Sequence, residues 1–81
     1  MDIELLNWLK DSKFRIVTLK SLLANPMLSS EIANKLNLNR ASMSRILRDL
    51  KSRNLVKPIS NKSRTVTYIV NDKYLQVIKE L

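Results

Sequence analysis

Between Lys35 and Arg64 the chain places nine basic residues, Lys35, Arg40, Arg45, Arg48, Lys51, Arg53, Lys57, Lys62 and Arg64, against a single acid, Asp49. That stretch carries +8, the net charge of the whole 81-residue chain, and the remainder is neutral. Such a block does the chemistry of polyanion binding, in which guanidinium and ammonium groups displace counterions and donate hydrogen bonds to phosphate. Other chemistries are poorly supplied. With no His and no Cys there is no soft or borderline metal site, no disulfide and no thiol or imidazole for nucleophile–base catalysis. The seven carboxylates are scattered. An enzyme is not expected, and neither a metal nor a cofactor is implied. Few aromatic residues are available to stack bases, so single-stranded nucleic acid is a poor fit.

The elements that must position these cations follow from periodicity. An apolar pattern over Ile3 to Lys10 predicts a short helix, with Asp2 favourable at its N-terminus. Asp11-Ser12 breaks the chain and offers an N-cap for a largely buried helix over Lys13 to Ala24, carrying Phe14, Ile16, Val17, Leu19, Leu22 and Leu23. Asn25-Pro26 ends it. Met27-Leu28 could add to the edge of a small sheet. Ser29 is the expected N-cap of a helix over Ser30 to Leu36, and Asn37 its left-handed end. Asn39 caps a helix from Arg40 to about Arg53 whose Met43, Ile46, Leu47 and Leu50 share one face.

Beyond Asn54 the pattern becomes extended. Leu55 to Ser60 predicts a strand that Pro58 confines to an edge or bulge. Asn61 to Arg64 is a polar turn, and Thr65 to Val70 is the β-branched return strand. A last helix from Asn71-Asp72 presents Tyr74, Val77, Ile78 and Leu81. The chain lacks Gly, so turns needing positive φ fall to Asn, with Asn25, Asn37, Asn54, Asn61 and Asn71 as candidates. The expected fold class is α+β, mainly α with a small β-hairpin, in one domain over 1–81.

The run SEIANKLNLNRASMSRILRDLKSRNLV, from Ser30 to Val56, resembles the winged helix-turn-helix domains of ArsR- and MarR-type transcription regulators of bacteria and archaea. Glu31-Ile32-Ala33 with Leu36, the corner Asn37-Leu38-Asn39, Met43-Ser44-Arg45 with Leu47 and Leu50, and Asn54-Leu55-Val56 carry the likeness, which extends over roughly Phe14 to Val70. It implies a recognition helix over about 40–53, a wing over about 56–70 and terminal helices at 3–10 and 72–81. Asn stands where these families commonly have Gly. Metal-sensing Cys and His are missing, so metal sensing is not implied. The longer terminal helices that form a ligand pocket in MarR proteins do not fit in a chain of this length.

A helix of this kind fits the major groove of duplex DNA. Arg45 is the first choice for base readout, because Arg can donate two bonds to guanine O6 and N7. Arg40 and Ser44 would reach base edges or phosphate, and Ala41 a thymine methyl. Asn39 and Ser42 suit phosphate, Lys35 and Arg48 flank the backbone, and Lys62 and Arg64 would lie over the adjacent minor groove or its phosphates. Ile3, Leu6, Trp8 and Leu9 at one end, with Tyr74, Val77, Ile78 and Leu81 at the other, exceed what a small core needs. The alternative is that they close over the core of the single chain; the preferred expectation is a two-fold homodimer that sets two reading helices about 34 Å apart.

The expected function is a sequence-specific double-stranded DNA-binding regulator, a dimeric repressor. The alternatives are a non-specific architectural DNA protein and a protein- or RNA-binding module on the same fold. No apolar run approaches the roughly 20 residues needed to span a bilayer, so no membrane partner is expected. A cytoplasmic, nucleoid-associated location is.

Overall fold

The structure is a computed structural model that describes residues 3–60 and 66–81. Asp2, Asn61, Lys62 and Arg64 lie outside the described residues, and with them their expected roles. The order of elements is α1 (Ile3–Lys10), α2 (Lys13–Ala24), β1 (Met27–Leu28), α3 (Ser29–Leu36), α4 (Arg40–Ser52), β2 (Val56–Ser60), β3 (Val66–Val70), a 3₁₀ turn (Asp72–Tyr74) and α5 (Leu75–Lys79).

The three strands form an antiparallel sheet in the order β1-β3-β2. Met27 pairs with Tyr68, so the two-residue β1 does extend the sheet edge. Pro58 sits opposite Tyr68 on the other edge strand, where a residue without an N–H is tolerated. The core gathers Leu5 and Leu9 of α1, Leu19 and Leu22 of α2, Ile32 and Ala33 of α3, and Met43, Leu47 and Leu50 of α4. Leu55, Val56, Val70 and Ile78 complete it. The α2 helix is the hub, packing on α1, α4, α5 and β3. Its buried face is narrower than its composition suggests: Thr18, Leu19, Ser21 and Leu22 are buried, whereas Phe14 remains 41% exposed. The polar members of that face have a consequence, because the Thr18 hydroxyl is buried with no hydrogen-bond partner among the described residues.

α3 and α4 end in the same way. Asn37 (φ 56°) and Asn54 (φ 61°) adopt the left-handed conformation. The next residue then folds back: Leu38 N–H donates to Ala33 O at 2.9 Å, and Leu55 N–H to Leu50 O at 3.0 Å. Each back-bond turns an apolar side chain, Leu38 or Leu55, toward the core. Asn25 and Asn71 do not share this role. Asn25 is extended at φ −155°, and Asn71, at φ −70°, caps the 3₁₀ turn by accepting from Lys73 N–H at 3.2 Å. Proline after Asn25 and the strand before Asn71 demand extended backbone there instead.

Two local expectations are corrected. Ser29 is the first residue of α3 rather than its cap, because β1 runs directly into the helix and the cap position falls on Leu28. Leu28 N–H donates to the Glu31 carboxylate at 2.8 Å. The C-terminal segment is not one helix, since a 3₁₀ turn precedes the five-residue α5.

Candidate nucleic-acid interface

The α4 helix has two chemically opposite faces. Met43, Leu47 and Leu50, spaced i, i+4 and i+7, are buried against the rest of the fold. Turned the other way, Arg40, Ala41, Ser44, Arg45 and Arg48 are exposed and Ser42 is half-buried. The helix start is fixed by Asn39, whose Oδ1 accepts from Ser42 N–H at 2.8 Å. That bond occupies Asn39 as a cap, supplies one of the orphan N–H groups with an acceptor, and sets the rotation of the first turn. Lys35, near the end of α3, is exposed as well. Among the described residues no cation of this outer face forms an ion pair; Arg53 does, with Glu4 at 3.2 Å.

Arg40 differs from the other outer cations. It lines a cleft of about 380 Å³ with Leu28, Ser29, Ser30, Val66 and Tyr68, where α3, α4 and β3 meet. Tyr68 is thus a sheet residue that also faces Arg40's surroundings, a placement that strand pairing decides and local sequence does not signal.

The residues expected at a dimer interface divide into three groups. Leu9 and Ile78 are fully buried in the chain's own core and have no surface left for a partner, which removes them from the interface set. Trp8 is half-buried beneath two guanidinium groups of its own chain, Arg15 at 3.9 Å and Arg53 at 4.8 Å from the ring centroid. Its face is therefore already covered. Leu6, Val77 and Leu81 line an open groove of about 500 Å³ with Lys10, Ile16 and Glu80, while Ile3 is 72% exposed and Tyr74 half-buried.

A scan against protein-family models and a search of curated proteins find no match. Solved structures do match. ZitR of Lactococcus lactis, a zinc-responsive MarR family member, superposes with a TM-score of 0.78 at 25% identity, over 85% of this chain and 49% of that one. The transcriptional regulator BldR from Sulfolobus solfataricus matches at 0.78 and 22%, covering 85% and 51%. The fold is a MarR-like winged helix-turn-helix. MepR, a transcription regulator of the Staphylococcus aureus multidrug efflux pump MepA, gives 0.79 at 18% identity, over 85% and 53%. The chain spans about half the length of these structures. In winged-helix terms α3 and α4 correspond to the helix-turn-helix, and β2 with β3 to the strands of the wing.

Proposed function

We propose that this winged helix binds double-stranded DNA as a sequence-specific transcription regulator, acting as a dimeric repressor, by binding alone and without catalysis. The observation that carries the reading is the division of α4: an apolar underside anchored by Met43, Leu47 and Leu50, and an outer face bearing Arg40, Arg45 and Arg48 in solvent. A helix about 10–12 Å across with that outer face suits the major groove. Arg45 reads guanine through two donors. Ser44 and Ala41 touch neighbouring base edges, while Ser42, Asn39, Lys35 and Arg48 hold phosphates. The wing, with Lys62 and Arg64, follows the adjacent minor groove. Dimerisation draws on Ile3, Leu6, Tyr74, Val77 and Leu81, and the expected setting is the nucleoid in the cytoplasm. The zinc response of ZitR stays with that protein, as this chain has neither His nor Cys.

The test is competition binding. After selection from random duplexes, the recovered site should outcompete bulk DNA by at least ~10³. Arg45→Ala should cost about 1–3 kcal/mol on that site and little on bulk DNA. Equal affinity for all duplexes would replace this reading with the architectural one.

A further inference from the structure

Four side chains from three helices converge at the end of α4 remote from Asn39. Trp8 of α1 lies under the Arg15 guanidinium of α2, 3.9 Å from the ring centroid. The Arg53 guanidinium, from the residue that ends α4, sits 4.8 Å from the same centroid. Arg15 Nη1 also donates to the Trp8 carbonyl at 2.6 Å, which ties the ring's own backbone to α2. Arg53 Nη1 reaches Glu4 Oε1 at 3.2 Å, one turn before Trp8 on α1. Two cations over one ring repel each other, and the Glu4 carboxylate offsets that repulsion.

These contacts contribute little to fold stability. The Arg53 and Glu4 side chains are 36% and 76% exposed, and exposed ion pairs and cation–π contacts are individually weak. What they provide is direction. Met43, Leu47 and Leu50 hold α4 onto the core along its length, and Asn39 sets its first turn. Arg53, at the end of α4, links that last turn to α1 through the Trp8 ring and Glu4. A small rotation of a reading helix displaces guanidinium groups at its far end by more than hydrogen-bond tolerance.

We propose that Trp8 and Glu4 are positioning residues for the DNA-reading helix, acting through Arg53 rather than on DNA. The proposal rests on the reading of α4 as the helix that enters the groove. It makes α1 a lever: whatever shifts α1 is felt at α4 through this joint.

The experiment measures affinity of the full chain for a duplex recovered by selection, across a range of salt, for wild type, Trp8→Leu, Glu4→Gln, Arg53→Ala and Arg53→Lys. Chemical shifts of the Asp49 to Arg53 amides are recorded without DNA. Trp8→Leu and Arg53→Ala should lose about three- to tenfold in affinity and Glu4→Gln about twofold, with salt slopes unchanged. Arg53→Lys should recover most of the loss, and the last-turn amides should shift in Trp8→Leu and Glu4→Gln. Wild-type affinity in Trp8→Leu and Glu4→Gln would overturn the proposal. So would a salt slope reduced by about one in Arg53→Ala, because Arg53 would then be a phosphate contact. Unmoved last-turn amides would overturn it without reference to DNA. If wild type binds no duplex, the groove reading of α4 fails, a result separate from the amide shifts.

Discussion

The side-chain amide of Asn71 donates to the main-chain carbonyl of Asn54 at 2.8 Å, joining the exit of β3 to the left-handed turn that ends α4. Asn71 N–H donates to Leu55 O at 2.9 Å beside it, so the end of β3 is latched by two bonds to the turn that follows α4. Asn71→Ala deletes the side-chain bond to Asn54 and the cap on Lys73 N–H. The expected loss is about 1–2 kcal/mol, or roughly 4–16 °C in melting temperature for a domain of this size, read by thermal denaturation. A melting point unchanged from wild type would show that the latch is not needed.

Asn37 and Asn54 occupy the left-handed region at φ 56° and 61°. Gly at either position should be neutral or slightly stabilising. Asn54→Val forces a β-branched residue there and should cost about 1–2 kcal/mol. Denaturant titration of the pair of variants checks the sign, and equal stability of the Gly and Val proteins would contradict the backbone argument.

Thr18 carries a buried hydroxyl with no partner among the described residues. Thr18→Val removes that polar atom while keeping the shape of the side chain, and should stabilise the chain by about 1 kcal/mol. Urea midpoints measure it. Destabilisation would mean that the hydroxyl has a partner in solution.

Leu9 and Leu6 are neighbours on α1 with different surroundings: Leu9 is in the core, and Leu6 lines the open groove. Leu9→Ala should cost about 2–5 kcal/mol of fold stability. Leu6→Lys, in contrast, should leave the monomer folded and shift sedimentation toward the monomer. If Leu6→Lys leaves the association state as in wild type, the groove is not where two copies meet.

Arg45→Lys keeps the charge and removes the planar two-donor fork. Affinity for bulk DNA and the salt slope should stay as in wild type, while preference for the selected site falls about tenfold or more. Retained preference in competition binding would indicate that Arg45 contributes charge only.

Much of this architecture was legible before any coordinates, for physical reasons that particular residues make clear. The face of Met43, Ile46, Leu47 and Leu50 is legible because the rest of α4 is so polar, although Ile46 at its margin is only half-buried. Pro58 points to an edge or a bulge because it lacks a donor, and the lack of Gly points to five Asn, of which Asn37 and Asn54 are left-handed while Asn25 and Asn71 are not. The terminal helices were harder. Periodicity shows that α1 and α5 each have an apolar side, but not whether that side covers its own chain or another. Leu9 and Ile78 cover their own. The Trp8 cluster had no local signature at all: Arg53 and Glu4 are 49 positions apart and meet only because α1 crosses near the end of α4. Tyr68 borders Arg40's cleft through strand register, which composition does not reveal.

Pro58 has an effect beyond the pairing of β2 with β3. It stands at the centre of a five-residue outer strand, withholding a donor where a foreign strand would need one, and Lys57 adds a charge next to it. The opposite margin, β1, is two residues long and passes at once into a helix. Among the described residues both margins of the sheet therefore disfavour the addition of a strand from another chain. Should copies of the chain line up side by side on a duplex, as the proposed function requires, these two margins would disfavour strand-to-strand zippering between them.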